Sequence, residues 1–491
     1  MSTYRSLLRH SAAYSVPVVL GKMCSFFLLP IYTRYLSPAD YGVLELLDLT
    51  SFVLGSLLGA RLGDALCFFY AEASTRESRD TVVTTALFSA VVLGAAGALS
   101  GYWLTGPVGM LVFRTTAYNR YFYLVFANFV LMLPQEVGLA YLRAVNKSFQ
   151  FTLCVSLRLA ASIAFNVWFL TAWSMGIAAM LWGTLAGSAI LAGAVLVIIF
   201  STVRPSFSAA LCRRMLAFTF PIGLSGVAML VIHYGDRFFL QRAASLADVG
   251  IYSLAYKLGM LVTYVQLPFA TYWTSQMYRI VRGENGETIN ARVCTYLTLT
   301  LSGAAVVITV FCRPVLNLMT TPGFRAAAQF IPLVAAAYVI RGLGDQFRNV
   351  FLMENRTGTD AQTSTLGSLL CVAGYLLLIP RFKMWGAAAA TLCAFAGVAV
   401  YSYWKAQRVK KYHYEVGRLS KIGLSACASS AVALIIRPEA VGAQFLLGLG
   451  SVALFVLLLA ASGFFTREEV ETVKELRSYL LSRAGIATGS A

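Results

Sequence analysis

The sequence predicts an all-α integral membrane protein of about fourteen transmembrane helices, and three observations carry that prediction. Hydrophobic residues make up 58% of the 491 positions and charged residues 12%. The mean hydropathy is +0.72. A soluble domain carries about 25% charged residues, so this chain has half the charge needed to cover a water-facing surface. Third, the apolar residues fall into runs that suit a bilayer, whose hydrocarbon core takes about 20 residues of helix to cross.

Those runs lie near 10–34, 41–70, 80–105, 118–143, 149–172, 175–201, 214–242, 250–278, 288–311, 326–353, 361–380, 384–405, 417–437 and 441–464. The separators are weakest around 175–201 and 361–405, so twelve or thirteen spans are the alternatives. Connections are short and leave no room for a folded extramembrane domain. A cleavable leader is not expected, because the first run holds Lys22 and continues through Pro30 and Tyr32 without a small-residue cleavage site.

The net charge is +18. Most Lys and Arg lie between the apolar runs, among them Arg76, Arg79, Arg143, Lys147, Arg213, Arg214 and the cluster Lys405, Arg408, Lys410 and Lys411. Basic loops stay cytoplasmic, so the balance favours a multi-pass protein with both termini in the cytoplasm. No basic, aromatic-interleaved soluble domain exists to bind nucleic acid. The nine cysteines are scattered without a CxxC or a ligand-spaced cluster, and read as small buried side chains rather than metal ligands or disulfides.

Two stretches about 208 residues apart look alike. Arg34, Ser37, Ala39, Asp40 and Gly42 match Arg242, Ser245, Ala247, Asp248 and Gly250. Ser at the N-cap with Asp three residues on is a good helix start. That explains the residue types, but not why the identities recur before the second helix of each half. The duplication predicts an N-terminal six-helix lobe at 1–201, a cytoplasmic linker at 202–213 and a C-terminal six-helix lobe at 214–405. Two additional transmembrane helices follow within 406–464, then a cytoplasmic amphipathic tail at 465–491. In the tail, Thr466 and Glu469 form a capping-box pattern ahead of an apolar stripe of Val470, Val473, Leu476 and Leu480. The ladder Gly55, Gly59 and Gly63 reads as close helix packing.

Ionisable groups inside lipid are costly and normally face a bundle interior or a wet cavity. The predicted spans hold Lys22, Arg61, Arg158, Arg237, Lys257, Arg341 and Arg348. Arg61 with Asp64 is an i,i+3 pair, and Asp345 is spaced to serve both Arg341 and Arg348. Lys22, Arg158 and Lys257 have no acid within a helical turn on their own span. A stepped cationic interior suits an anionic cargo such as phosphate, and these seven residues are the candidate substrate contacts. Glu45, Asp48, Glu136 and Asp236 are the candidates for coupling to Na+, H+ or the membrane potential. His233 reads as a packed histidine rather than a proton shuttle. No organic cofactor or metal is expected.

The segment Phe26-Phe-Leu-Leu-Pro-Ile-Tyr-Thr-Arg-Tyr-Leu-Ser-Pro-Ala-Asp-Tyr-Gly42 resembles the first two helices of bacterial polysaccharide-export flippases. Gly235-Asp-Arg-Phe-Phe-Leu240 and the stretch from Val249 to Gly259 resemble their seventh and eighth. These are the O-antigen and exopolysaccharide flippases of the multidrug/oligosaccharidyl-lipid/polysaccharide exporter superfamily. The resemblance implies two pseudo-symmetric lobes working by alternating access. It also implies a cationic central cavity for an oligosaccharide on undecaprenyl pyrophosphate, moved from the inner to the outer leaflet of the cytoplasmic membrane. By resemblance, Lys22, Arg237 and Lys257 stand where basic cavity residues occur, and a polysaccharide polymerase is the implied partner. The two extra C-terminal helices look like those of the peptidoglycan-precursor branch, whereas many O-antigen flippases have twelve. A peptidoglycan-precursor flippase or a cation-coupled drug antiporter is the alternative within the superfamily. A membrane glycosyltransferase or polymerase is the alternative of another class, and it lacks the catalytic loop such enzymes need.

Overall fold

The structure is a computed structural model and describes residues 21, 23–24, 26–59, 61–281, 283–354, 356–466 and 469. Its helices are α1 (Leu29–Tyr35), α2 (Pro38–Leu58), α3 (Leu62–Glu72), α4 (Arg76–Phe113), α5 (Asn119–Ala144), α6 (Ser148–Thr171), α7 (Ile177–Thr202) and α8 (Ala209–Tyr234). There follow α9 (Asp236–Ala243), α10 (Leu246–Gly259), α11 (Val262–Val281), α12 (Gly286–Met319), a 3-10 segment (Pro322–Gln329), α13 (Ile331–Met353), α14 (Thr357–Val409), α15 (Val416–Ile435) and α16 (Val441–Ala461). No strand occurs among the described residues, as the composition predicts.

Among the described residues, nine helices are long and apolar enough to cross a membrane, or ten if the bent pair Pro322–Gln329 and Ile331–Met353 is one span. The fourteen predicted runs fall on these helices as follows. Most of the run 10–34 lies outside the described residues. The expected seventh span divides into α8 and α9 at Gly235, and the eighth into α10 and α11 at Met260–Leu261. The runs 361–380 and 384–405 share the single element α14, whose backbone breaks at Lys383 (φ 50°, ψ −123°).

By internal contacts the chain forms two compact units: Met1–Leu254 with Met319–Ala326 and Cys371–Ala387, and Ala255–Leu318 with Ala327–Leu370 and Ala388–Ala491. The first has its core where α3, α4, α5 and α7 meet, around Leu66, Val83, Ala86, Val137, Leu191 and Val195. Small residues set the spacing there. A Cβ on Gly63 would press on Ala140 and the Glu136 carbonyl of α5, and one on Gly55 would meet Met132 of the same helix. The middle member of that ladder does something else. Gly59 takes φ +119°, a left-handed conformation that L side chains avoid, and ends α2. The expected second span is therefore a broken helix.

The duplicated motif is visible twice over. Ser37 N–H donates to Asp40 Oδ2 (3.0 Å) and Asp40 N–H to Ser37 Oγ (3.2 Å); Ser245 and Asp248 repeat the pattern at 3.0 and 3.1 Å. The matched glycines also touch one another. A Cβ on Gly42 would collide with the Leu246 carbonyl, and one on Gly250 with the Pro38 carbonyl. Pro38 and Leu246 are themselves repeat equivalents, so the crossing of α2 and α10 is reciprocal, as a local two-fold requires. Residues 319–326 close on the same corner. Thr321 donates to the Thr33 carbonyl (3.1 Å), and Phe324 packs edge-on against Tyr41.

In the second unit, Trp273, Met277, Val350, Phe351, Tyr412 and Tyr414 form one core. A second core joins α15 and α16 to α12 through Val306, Val310, Ile422, Phe455, Leu459 and Phe464. Leu424, Ile435, Leu446, Leu449 and Leu457 stay exposed on those two helices, as side chains facing lipid would. All nine cysteines are free thiols.

Candidate functional site

The charged residues predicted inside the membrane fall into separate clusters. In the first unit, Arg237 of α9 has no accessible surface. Its Nη1 reaches Asp236 Oδ1 at 2.6 Å and the His233 carbonyl at 3.4 Å, and its Nε lies 3.6 Å from Glu45 Oε1 of α2. Tyr252 of α10 donates its hydroxyl to Asp236 Oδ2 (2.6 Å), and the rings of Tyr234 and Tyr252 flank the guanidinium at 5.1 and 5.6 Å. A buried charge is tolerated only with partners of this kind. Glu45 and Asp236, both read from the sequence as ion-coupling candidates, thus lie on one arginine beside the Gly42–Gly250 crossing.

Arg61 is a different object. It caps α3 where the span breaks after Gly59, and Asp64 Oδ2 lies 3.5 Å from its Nη1, with the two side chains 40% and 46% exposed. A Cβ on Gly226 of α8 would lie 3.3 Å from Arg61 Nη2, so glycine there gives the guanidinium room. Arg158 of α6 has no acid within a turn on its own helix, and it lies in the field of Glu136 of α5. Glu136 in turn lies in the field of Arg158, Arg143, Asp64 and Arg61. Asp48 is exposed on α2 although residues 45–47 and 49–50 around it are buried.

In the second unit, Arg341 keeps the predicted i,i+4 partner, with Nε 3.9 Å from Asp345 Oδ2, and lies over the rings of Tyr338 and Phe395 at 5.9 and 5.5 Å. Arg348 departs from the spacing rule. Instead of pairing with Asp345, it donates from Nε to Asp360 Oδ1 and from Nη2 to Ser364 Oγ, both at 2.8 Å, on the first turns of α14. The next helix offers a shorter reach than its own. Lys257 is exposed on a stretch of α10 where residues 252–256 and 258–259 are buried. Lys22 lies outside the described residues.

A separate cavity of about 490 Å³ lies at the start of α12, lined by Tyr278, Asn285, Glu287, Glu354 and Lys410. Lys410 pairs with Glu287 there (3.4 Å), and none of the predicted residues takes part. No group of three His, Cys, Asp or Glu side chains able to hold a metal occurs among the described residues. Tyr252, Asp360 and Ser364 were not singled out from the sequence. They are neutral or lie one helix away, and only Gly42 and Gly250 of the new contacts carried a signal, as repeat identities.

A comparison with curated protein sequences gives no match. Among solved structures, the chain is similar to "Lipid II flippase MurJ, inward closed conformation", at TM-score 0.74 and 13% identity over 92% of this chain and 99% of that one. It is also similar to an inward-facing multidrug resistance MATE family transporter of the MOP superfamily, at TM-score 0.65 and 16% identity over 82% and 98%. A MOP superfamily transporter from Pyrococcus furiosus gives TM-score 0.54 and 15% identity over 82% and 95%. At such identities the likeness concerns the fold. The family model described as "Polysaccharide biosynthesis protein" matches residues 7–273, more than half of the chain. The resemblance read from residues 26–42 and 235–259 is borne out: the chain belongs to the polysaccharide biosynthesis protein family and has the multi-pass helical fold of MOP-superfamily flippases and transporters.

Proposed function

We propose that this protein flips a lipid-linked oligosaccharide, carried on undecaprenyl pyrophosphate, from the inner to the outer leaflet of a bacterial cytoplasmic membrane. The product feeds O-antigen or exopolysaccharide synthesis, with both termini cytoplasmic and a polymerase downstream. The observation that carries this reading is a polysaccharide-biosynthesis family match on a chain whose helices hold accessible basic groups, Arg61, Lys257, Arg341 and Arg348. A guanidinium fork suits phosphate oxygens. Asp64 and Asp360 hold Arg61 and Arg348 while cargo is absent. An arriving pyrophosphate exchanges one anion for another, and no bare charge is left in lipid. Alternating access moves the cargo, and Asp48 or Glu136 takes the coupling ion or proton.

A peptidoglycan precursor is the second reading. The similarity to a structure titled as a Lipid II flippase covers 99% of that chain, and α15 and α16 suit that branch. The test reconstitutes the protein in liposomes with each lipid-linked cargo and reads protection of the sugar from an external enzyme. Arg61→Ala and Lys257→Ala, singly, should each lower flipping of the oligosaccharide at least about tenfold, the equivalent of 1.4 kcal/mol, with unchanged protein yield. Full activity in both variants defeats the pyrophosphate assignment. Flipping confined to the peptidoglycan precursor selects the second reading.

A further inference from the structure

A polar cluster in the second unit takes no part in the function proposed above. Arg418, in the first turn of α15, donates from Nη2 to both carboxylate oxygens of Glu469 at 2.9 and 3.0 Å, and from Nη1 to Glu415 at 3.1 and 3.2 Å. Tyr296 of α12 donates its hydroxyl to the same Glu469 carboxylate. The guanidinium lies over the rings of Phe464 (4.4 Å) and Tyr296 (5.5 Å). Lys421, three residues on, donates to the Gly463 carbonyl at 3.2 Å. The cluster is largely covered: the Arg418 side chain is 13% exposed and that of Glu469 22%.

Glu469 belongs to the chain beyond α16, and with Thr466 it closes the predicted capping box (Thr466 N–H to Glu469 Oε2, 2.9 Å). Its carboxylate is therefore supplied by the chain beyond α16 and not by a spanning helix. Take it away, and what remains is a two-pronged guanidinium edge, a phenol donor and a nearby ammonium. That set matches phosphate oxygens as well as a carboxylate. Its position fits too. Arg418 opens one apolar helix and Phe464 follows the end of another, which is the level of lipid headgroups. Glu415 stays on Nη1 throughout, so exchange at Nη2 leaves no naked guanidinium.

We propose that Arg418, Tyr296 and Lys421 form an anion site for a phosphate-bearing headgroup, occupied in this state by Glu469, so that headgroup and C-terminal tail compete for it. Binding of the headgroup releases Glu469 from Arg418 of α15 and Tyr296 of α12. The competition is independent of the cargo identity proposed above.

The test uses the full chain in nanodiscs with an epitope after Ala491, and reads the rate at which protease removes the epitope. In phosphatidylcholine discs Glu469 stays on Arg418 and cutting is slow. Phosphatidylglycerol should accelerate it about fivefold or more by mass action. The basic residues of the tail itself would bind acidic lipid and slow cutting, so the sign of the effect discriminates. Glu469→Gln should be cut fast in both lipids. Arg418→Gln should be fast and insensitive to lipid. The double exchange Arg418→Glu with Glu469→Arg should be slow and insensitive, and its monodisperse elution shows that the site can be rebuilt in a folded protein. Inorganic phosphate in phosphatidylcholine discs separates the sources: acceleration means that any phosphate serves, and none means that a membrane-borne headgroup is required. A wild-type rate that is unchanged or slowed by phosphatidylglycerol overturns the competition. A wild-type rate in Arg418→Gln overturns the clasp itself.

Discussion

Arg61 and Arg237 lie in the same unit and look equivalent in the sequence, each being a cation in an apolar run beside an acid. The structure separates them. Arg237 has no accessible surface and meets two carboxylates, two tyrosine rings and a backbone carbonyl. Arg61 is two-fifths exposed at a helix break, with one carboxylate at 3.5 Å. Desolvation makes the first pair strongly dependent on every partner, whereas solvent screening leaves the second with little to lose. A charge sealed among its partners and a charge open to solvent are told apart by accessibility, not by residue type.

The sharpest way to break that comparison is to remove each arginine. Arg237→Ala strands Asp236 and Glu45 and should cost about 3–5 kcal/mol, seen as loss of monodisperse protein and a lowered melting temperature. Arg61→Ala should cost about 1 kcal/mol or less in stability, while flipping falls as described above. Equal stability losses in the two variants would erase the distinction.

A smaller effect is expected at the crossing next to Arg237. Gly42→Ala or Gly250→Ala puts a methyl group against backbone carbonyl oxygen and should destabilise by about 1–3 kcal/mol. Because each substitution forces apart the same pair of helices, the double variant should lose less than the sum of the two singles. Additive losses would mean that the two glycines do not share one contact.

The smallest effect concerns Glu469, outside the spanning helices. Burial alone would raise its pKa, but hydrogen bonds from Tyr296, Thr466 and Arg418 and the guanidinium's charge hold it below the usual glutamate range. A carboxyl lowered in the folded state stabilises above its unfolded pKa, and that contribution fades as the pH falls through the folded value. The melting-temperature advantage of the wild type over Glu469→Gln should therefore be flat near neutrality and shrink in acid, below about pH 4.3. An advantage that shrinks already between pH 8 and 6 would point to another group.

Much of the fold was legible in the sequence because its causes are local. A run of about 20 apolar residues suits lipid wherever it occurs along the chain. Ser37 with Asp40 and Ser245 with Asp248 close their capping boxes within one turn, and Thr466 with Glu469 does the same. Arg61–Asp64 and Arg341–Asp345 meet because helical spacing puts them on one face. Apolarity and length say less about where a helix breaks. The expected seventh and eighth spans divide at Gly235 and at Met260–Leu261, and the ladder of Gly55, Gly59 and Gly63 hid a left-handed residue among packing glycines.

Only tertiary structure decided which charges are sealed and which are reachable. Arg348 left Asp345 for Asp360 and Ser364, Arg158 lies in the field of Glu136 on another helix, and Glu469 found Arg418 and Tyr296 far back along the chain. Spacing along one helix determines neighbours within a turn. Partners on other helices depend on how close backbones come, and here glycine, as at Gly42 and Gly250, decides that distance. The sequence by itself determined that this is a multi-pass membrane protein with a duplicated motif and ionisable groups in its spans. The packing of the helices determined what each of those groups can touch, because the Coulomb and desolvation terms that govern a buried charge depend on distance and surroundings.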